Sequence, residues 1–374
     1  MTLPASEPVS ETSPLEPRSW LGSLTAAWPD QGDELLLRAA LCEPTEARRS
    51  WDEWKSRNSL DDATWEDHKL LAVVSAQLHQ LDSGFHDTRR LQGLVKALWT
   101  AAQIKQQASL GALDILIAAQ IPVLLLKGPA FDLAAPRPDR RRLSGDLDIF
   151  VRRCDLRHAL GLLAAQEWRQ QNYSLASQLR YLRTRPGINL TRDHGGDIDI
   201  HHQPIHLRWM SDRTLARLWQ RARPAFLGER KILIPSDADL LCISASHGLR
   251  RRRQVCSGAW AVDFHHMFTA SHVRLQSLPE IAHELGATLH VLSALLFLQR
   301  AIGTPVDADL IAALKRQSRG VGARLRYYVG TPAKNERDRR NRRRLQKFME
   351  ARLTLLSYCS GPFFSIRHLH GKAP

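Results

Sequence analysis

The chain lacks the cysteine spacing that a disulfide framework or a structural zinc site requires. Its five cysteines are scattered and odd in number, and no two of them form a CxxC pair. No apolar run approaches the roughly 18 residues that span a bilayer, and the first twenty residues show no basic segment followed by an apolar one. These absences argue against a secreted disulfide scaffold and a membrane span, and we expect a cytoplasmic protein.

Acidic residues are scarce relative to basic ones. The chain has 38 Asp and Glu against 53 Lys and Arg, which gives a formal net charge of +15. Such a balance favours phosphate-bearing partners such as nucleotides, RNA or anionic lipid, although a solvated basic face would look the same in sequence. The tracts "LRRRRQV" and "RDRRNRRRLQK" contain no interleaved aromatic residues, which favours contacts to a phosphate backbone over base stacking.

The composition and the spacing of apolar residues change three times along the chain and predict four regions. Residues 1–30 are rich in Pro, Ser, Thr and Glu and predict a flexible leader. Residues 31–120 repeat apolar positions at helical spacing, residues 121–235 alternate short apolar strands with helices, and residues 236–374 are helical again with a basic tail. The expected fold class is therefore α+β, a small mixed sheet between two helical regions.

Two aspartates stand one residue apart in "SGDLDIFV", inside an apolar run. Alternation along a strand places Asp146 and Asp148 on one face, with Leu147 and Ile149 on the other. Like charges held this close repel unless a cation lies between them. Mg²⁺ or Mn²⁺ is the natural cation for a carboxylate-rich site, so the pair predicts a metal site.

A second strand repeats the pattern. In "GGDIDIHH", which reads as the return strand of a hairpin that turns at Gly195 and Gly196, alternation places Asp197, Asp199 and His201 on one face. A third carboxylate from this strand would complete a site for one or two divalent ions, which can stabilise an in-line phosphoryl displacement. Alternation alone does not decide between Asp197 and Asp199.

The apolar strand "IPVLLLKG" ends in Lys127 and Gly128. A glycine here lets backbone amides approach a phosphate closely, and the lysine supplies a compact positive charge. Each feature alone is weak, because isolated DxD pairs on exposed edge strands are common. The order and spacing of the apolar strand and the two DxD strands favour a functional site.

These residues, "LLLKGPAF…RLSGDLDIFV…DIDIH", resemble the nucleotidyltransferase superfamily that includes DNA polymerase beta. They are more similar still to a bacterial family of uncharacterised nucleotidyltransferases. The resemblance covers about residues 121 to 203 and implies a small mixed sheet as the catalytic core. It implies Mg²⁺ or Mn²⁺ as cofactor and a nucleoside triphosphate as substrate.

The resemblance also implies roles for the acidic residues. Asp146 and Asp148 match the metal-binding pair of the family, and Asp199, rather than Asp197, matches its third catalytic carboxylate. Asp199 would complete the metal site and help to deprotonate the acceptor. His201 matches the histidine that follows and is a further candidate.

Nucleotide-binding residues follow from the same match. Lys127, Gly128 and Arg142 would hold phosphate oxygens, and His247 is a further candidate for reaching the phosphates or the acceptor. Pro129 departs from the superfamily pattern, because it has no backbone N–H to offer a phosphate.

The sequence is compatible with several classes of acceptor. A small molecule, a peptide, a saccharide and RNA are all compatible with the sequence. A toxin-like enzyme that modifies tRNA is one alternative reading, which the net charge of +15 favours. A non-catalytic RNA-binding or scaffold protein on a decayed transferase fold is the other.

Overall fold

The chain folds as an α+β protein in which helices precede and follow a central sheet. The computed structural model describes residues 20–81, 88–135, 143, 146–170, 173–193, 195–205, 210–250, 258–270, 273–318, 320–331, 333 and 335–359. The helices are α1 Gln31–Leu41, α2 Pro44–Arg57, α3 Trp65–Leu81, α4 Thr88–Ala118, α5 Lys127–Ala134, α6 Leu156–Ala165, α7 Leu175–Tyr181, α8 Asp212–Arg221, α9 Asp237–Gly248, α10 Ala259–Thr269, α11 Leu278–Leu285, α12 Thr288–Phe297, α13 Ala308–Gln317, α14 Val321–Gly330 and α15 Glu336–Cys359. The strands are β1 Leu124–Leu126, β2 Leu147–Phe150, β3 Gly187–Thr191, β4 Asp197–His201, β5 Arg223–Leu227 and β6 Arg230–Ile234.

The described strands form one mixed sheet in the order β3-β4-β2-β1-β6-β5. The pairs β2–β4 and β1–β6 are parallel, and the other neighbours are antiparallel. The central strands β1 and β2 are buried along their whole length, as their nearly continuous apolar sequences require. On β4, Ile198 and Ile200 are buried while the intervening polar residues are only half-buried, so one face of the sheet is polar here.

Two hairpins build the edges of the sheet. The β3–β4 hairpin turns at Gly195 and Gly196, whose φ angles of 93° and 94° suit glycine, as the sequence predicts. At the opposite edge, β5 and β6 pair as an antiparallel hairpin. The first strand contains Pro224, which an edge strand tolerates because one side of it needs no ladder hydrogen bonds.

The segment Trp20–Ala27 also differs from the sequence interpretation, which placed it in a flexible leader. It forms a 3-10 helix in which Leu24 and Ala27 are fully buried. Its composition is apolar, unlike the Pro- and Glu-rich residues before it, and burial of those side chains offsets the cost of ordering the backbone. Residues 1–19 of the expected leader lie outside the described residues.

A polar cluster ties this N-terminal segment to the C-terminal helices. The Tyr327 hydroxyl on α14 lies 2.9 Å from both the carbonyl of Leu24 and the hydroxyl of Ser293 on α12, and Trp28 donates to the same Ser293 hydroxyl over 3.2 Å. Buried apolar residues from Leu24 to Tyr327 form one contiguous core around these bonds. The sheet and both helical regions therefore share a single hydrophobic interior.

Within the described residues, no helix combines the length and the apolar character needed to cross a membrane.

Asp33, the third residue of α1, is a buried carboxyl group that destabilises the fold when it is ionised. Only 5% of the residue is exposed, and Oδ2 has no hydrogen-bond partner among the described residues. Burial, reinforced by Asp30, Asp67 and Glu66, raises the pKa of Asp33 from 3.8 to about 7. The folded protein thus holds this proton up to a higher pH than the unfolded chain, and its stability falls as pH rises from about 4 to 7.

We expect Asp33→Asn to stabilise the protein at pH 8 and to have little effect at pH 4, because the amide stays neutral. The gain at pH 8 should be about 2 to 4 kcal/mol in the free energy of unfolding, measured by chemical denaturation at both pH values. Asp62→Asn, at an exposed position, is the matched control. Equal effects of Asp33→Asn at the two pH values would contradict this account.

Candidate active site

The parallel pairing of β2 with β4 brings the two DxD motifs side by side. In this register Asp148 lies opposite Asp199, and Phe150 lies opposite His201. One ligand atom from each of Asp148, Asp199 and His201 lies within 4.8 Å of the other two. Two carboxylates and one imidazole on the polar face of the sheet are therefore close enough to share one metal ion.

Asp148 is the most buried of these groups, with 5% of the residue exposed. Lys127 forms a direct ion pair with its Oδ1, and Nε2 of His201 lies 2.9 Å from the same oxygen, where a protonated nitrogen donates to the carboxylate. Burial alone would raise the pKa of Asp148. Lys127, His201 and His247 outweigh it and hold that pKa well below its usual range.

Lys127 reaches this carboxylate from an unusual backbone conformation. It joins β1 to α5 with a φ of 53°, in the left-handed region that non-glycine residues rarely adopt. Such a residue costs roughly 1 to 2 kcal/mol and persists when its surroundings compensate for it. The sequence interpretation assigned Lys127 to phosphates, whereas the structure places its ammonium on Asp148. Gly128 follows it, buried in the first turn of α5.

Asp146 immediately precedes β2 and is exposed to solvent, unlike Asp148. Partial desolvation, followed by the neighbouring charge of Asp148, raises the pKa of Asp146 above its ordinary value, while Lys127 opposes the shift. Asp146 is not part of the three-residue cluster. A cation bound nearby would favour its ionised form.

Asp197 and Asp199 share a face but have different partners. Asp197 forms an ion pair with Lys105 on α4 over 2.8 Å, accepts from the side chain of Asn189, and has its backbone fixed by Ser109 over 2.9 Å. Asp199 accepts from Asn189 over 3.0 Å and lies beside Asp148. Its carboxylate is thus the better placed of the two to act with Asp148.

His201 is seated against a glycine on the neighbouring strand. A Cβ added to Gly187 would lie 2.6 Å from Nδ1 of His201 and 2.8 Å from the carbonyl of Ile200, so only glycine leaves room for the ring. The next residue, His202, is fully buried, and its Nε2 lies 2.9 Å from the carbonyls of both Leu182 and Arg185. Burial lowers the pKa of His202 to about 4, which marks it as a neutral group that fixes the chain beside the site.

The remaining sequence candidates are Arg142 and His247. Arg142 lies outside the described residues. His247 is half-buried near the C-terminal end of α9 and acts on the ionisation of Asp148, as expected for a group close to the cluster. It is not one of the three clustered ligands.

The donor set fits a divalent cation. Carboxylate oxygens suit Mg²⁺ and Mn²⁺, and an imidazole nitrogen is a softer donor that Mn²⁺ accepts more readily than Mg²⁺. Buried carboxylates need a countercharge, and here Lys127 supplies one to Asp148. A cation bound at the cluster would supply the same charge.

Three supporting residues were missed by the sequence analysis. Gly187 and Asn189 could have been found by counting back from the Gly-Gly turn, since the hairpin register pairs them with His201 and Asp199. Lys105 has no local signal, because it lies on a helix 92 residues from Asp197.

Comparison with known protein families agrees with this arrangement. A family model described as uncharacterised nucleotidyltransferase matches residues 62–303, which is more than half of the chain. The chain therefore belongs to this family, and the expected α+β nucleotidyltransferase fold is confirmed. No curated protein matches the chain. No solved structure matches it either.

We expect Gly187→Ala to displace the His201 ring and to weaken divalent metal binding by roughly 10- to 100-fold, the usual cost of disturbing a residue that orients a ligand. The measurement is isothermal titration with Mn²⁺. Gly161→Ala is the matched control, because a Cβ there meets no atom within 4 Å. Unchanged Mn²⁺ affinity in the folded Gly187→Ala protein would show that His201 is not a ligand.

Proposed function

We propose that this protein transfers a nucleoside monophosphate from a nucleoside triphosphate to an acceptor hydroxyl or phosphate in a reaction that depends on Mg²⁺ or Mn²⁺. The observation that carries this proposal is the cluster of Asp148, Asp199 and His201 on adjacent parallel strands of a nucleotidyltransferase-family sheet. The acceptor oxygen attacks the α-phosphorus, the bond from that phosphorus to the β-bridging oxygen breaks, and pyrophosphate leaves.

The acidic residues would have different roles because they differ in burial and in hydrogen bonding. Asp148 and Asp199, with Asp146 at the solvent side, would hold a divalent cation that neutralises the triphosphate and polarises its α-phosphate. Asp199 is half-buried and accepts one hydrogen bond from Asn189, which leaves lone pairs to take the proton of the acceptor. His201, whose Nε2 lies 2.9 Å from Asp148, would offer a nitrogen ligand to the same cation.

Lys127 would exchange partners when substrate binds. Its ammonium neutralises Asp148 in the structure, and a bound divalent cation would replace that charge. The ammonium would then be available to the β- or γ-phosphate, with the backbone N–H of Gly128 beside it. This accounts for both the contact seen here and the role that the family resemblance implies for Lys127.

We expect a Mg²⁺-dependent rise in Tm when a nucleoside triphosphate binds the wild-type protein, because ligand that binds only the native state stabilises it. Asp148→Asn and Asp199→Asn should abolish the rise. Asp197→Asn should retain most of it, and Asp193→Asn, an exposed position on the same hairpin, should retain all of it. Thermal shift with each of the four triphosphates, with and without Mg²⁺, measures this and reports the base preference.

No rise in the well-folded wild type with any triphosphate would overturn the proposal. Transfer itself is tested with triphosphate labelled at the α- or the γ-phosphorus. The α-label should pass to acceptor in fractionated extract and the γ-label to pyrophosphate. Transfer of the γ-label to acceptor would show phosphoryl transfer in its place.

We expect Lys127→Gln to change two affinities in opposite directions. Loss of the competing ammonium should tighten Mn²⁺ binding to the metal site by roughly tenfold, while loss of the phosphate contact should weaken triphosphate binding in the presence of the metal. Titration calorimetry measures both. Weaker binding of both ligands would indicate that Lys127 only keeps the site folded, and Lys105→Gln is the comparison for a lysine paired with the neighbouring Asp197.

We propose a cytoplasmic location, since Cys42, Cys154 and Cys242 are free thiols and triphosphates are abundant there. The acceptor is proposed to carry a free hydroxyl or phosphate. Small molecules, peptides, saccharides and RNA all meet this requirement.

A further inference from the structure

The first half of α15 concentrates positive charge to a degree not found in the rest of the sequence. Between positions 337 and 347 it contains six arginines and one lysine, namely Arg337, Arg339, Arg340, Arg342, Arg343, Arg344 and Lys347. The family match ends at residue 303, so this helix lies beyond it. The candidate active site does not account for this charge.

Arg342 attaches the helix to the protein, and Arg339 is held in an ion pair within the helix. Arg342 is buried, pairs with Asp338 over 3.0 Å, donates to the carbonyl of Thr331 over 2.6 Å, and stacks over the Tyr328 ring at 4.1 Å. Arg339 pairs with Glu336 over 2.7 Å. The acids of the first two turns are therefore used by these two arginines.

Four other cations form a stripe on the opposite side. Arg337, Arg340, Arg344 and Lys347 recur at spacings of three, four and three residues, which places them on one helix face. We call them the basic stripe. All four are exposed, and none forms an ion pair with another described side chain. At 1.5 Å per residue the stripe is about 15 Å long.

An aromatic ring lies on the same face. Phe348 follows Arg344 by four residues, next to Lys347, and 64% of it is exposed. The sequence tract alone suggested no aromatic partner for a base, because Phe348 lies just beyond it. The four-residue spacing places Phe348 on the same helix face as Arg344. The exposed ring therefore provides a stacking surface beside a row of positive charges.

We propose that the basic stripe and Phe348 bind single-stranded RNA. The planar guanidinium group of arginine matches phosphate oxygens in geometry and charge. An exposed aromatic ring among these cations can stack on the unpaired bases of a single strand. A helix that inserts into a membrane interface needs a broad apolar face opposite its charges. The described side chains of α15 expose Phe348 as their single large apolar group, so RNA fits this surface better than lipid.

The test measures binding of a fluorescein-labelled oligouridylate by fluorescence anisotropy, in EDTA and without nucleotide. Under these conditions the proposed transferase site takes no part, so the two proposals fail separately. Asp148→Asn should bind the oligonucleotide as tightly as the wild type. The stripe variant replaces all four cations of the basic stripe by glutamine.

The matched control removes the same charge from four exposed cations on α4, α6, α8 and β6, namely Lys96, Arg157, Arg213 and Lys231. We expect the stripe variant to lose at least tenfold in affinity and the control to lose little. The slope of log Kd against log salt should fall by about 3 in the stripe variant, because each contact to single-stranded phosphate contributes about 0.7. Phe348→Ala should weaken binding without changing the slope.

Circular dichroism and Tm confirm that each variant is folded. Equal losses in the stripe and control variants would show that net charge alone binds RNA, and would overturn the proposal. Equal binding of duplex and single-stranded oligonucleotides would also overturn it. So would loss of binding to vesicles of anionic lipid by the stripe variant with oligouridylate affinity unchanged.

Discussion

A buried carboxylate requires a countercharge, and the neutralisation of Asp148 is the constraint on which the site depends. Three chain segments meet at this group. Lys127 arrives from the end of β1, His201 from the end of β4, and Asp148 itself from the middle of β2. The cost of an unpaired charge in this interior is several kcal/mol, so the strand register and the left-handed backbone at Lys127 are coupled to that single ionic contact.

The coupling explains why the site lies on strands rather than on loops. Parallel pairing of β2 with β4 fixes the separation of Asp148 and Asp199, and the buried Ile198 and Ile200 fix which face the acids occupy. A slip of one residue would turn every acid into the core. The apolar residues that alternate with the acids therefore fix the face of the sheet on which the acids lie.

The sequence predicted the parts of this site that depend on local periodicity. Alternation placed Asp148 on β2 and both acids of the second DxD motif on one face of β4, although Asp146 lies just before β2, and the Gly-Gly pair predicted the hairpin between β3 and β4. It could not predict that Lys105 would hold Asp197, because that contact depends on how α4 packs against the sheet. It also missed β5, whose proline and exposed side chains give no alternating signal.

The two acids of β4 also show this difference between local periodicity and long-range packing. Asp197 and Asp199 are equivalent in sequence, since both lie on one face of one strand. They become different only when the structure supplies their neighbours, a lysine for one and a second acid for the other. Long-range packing, not local chemistry, thus separates a carboxylate that is already neutralised from one that still needs a cation.

The burial of α9 has a consequence for the energetics of ligand capture. Its nine residues from Ala238 to Ser246 are all buried, so this helix has no solvent-facing side along most of its length. It cannot rotate or shift without disrupting the interior on every side. His247 follows this buried run directly, and its charge helps to lower the pKa of Asp148. A ligand that contacts this end of α9 would therefore lose little of its binding energy to ordering the helix.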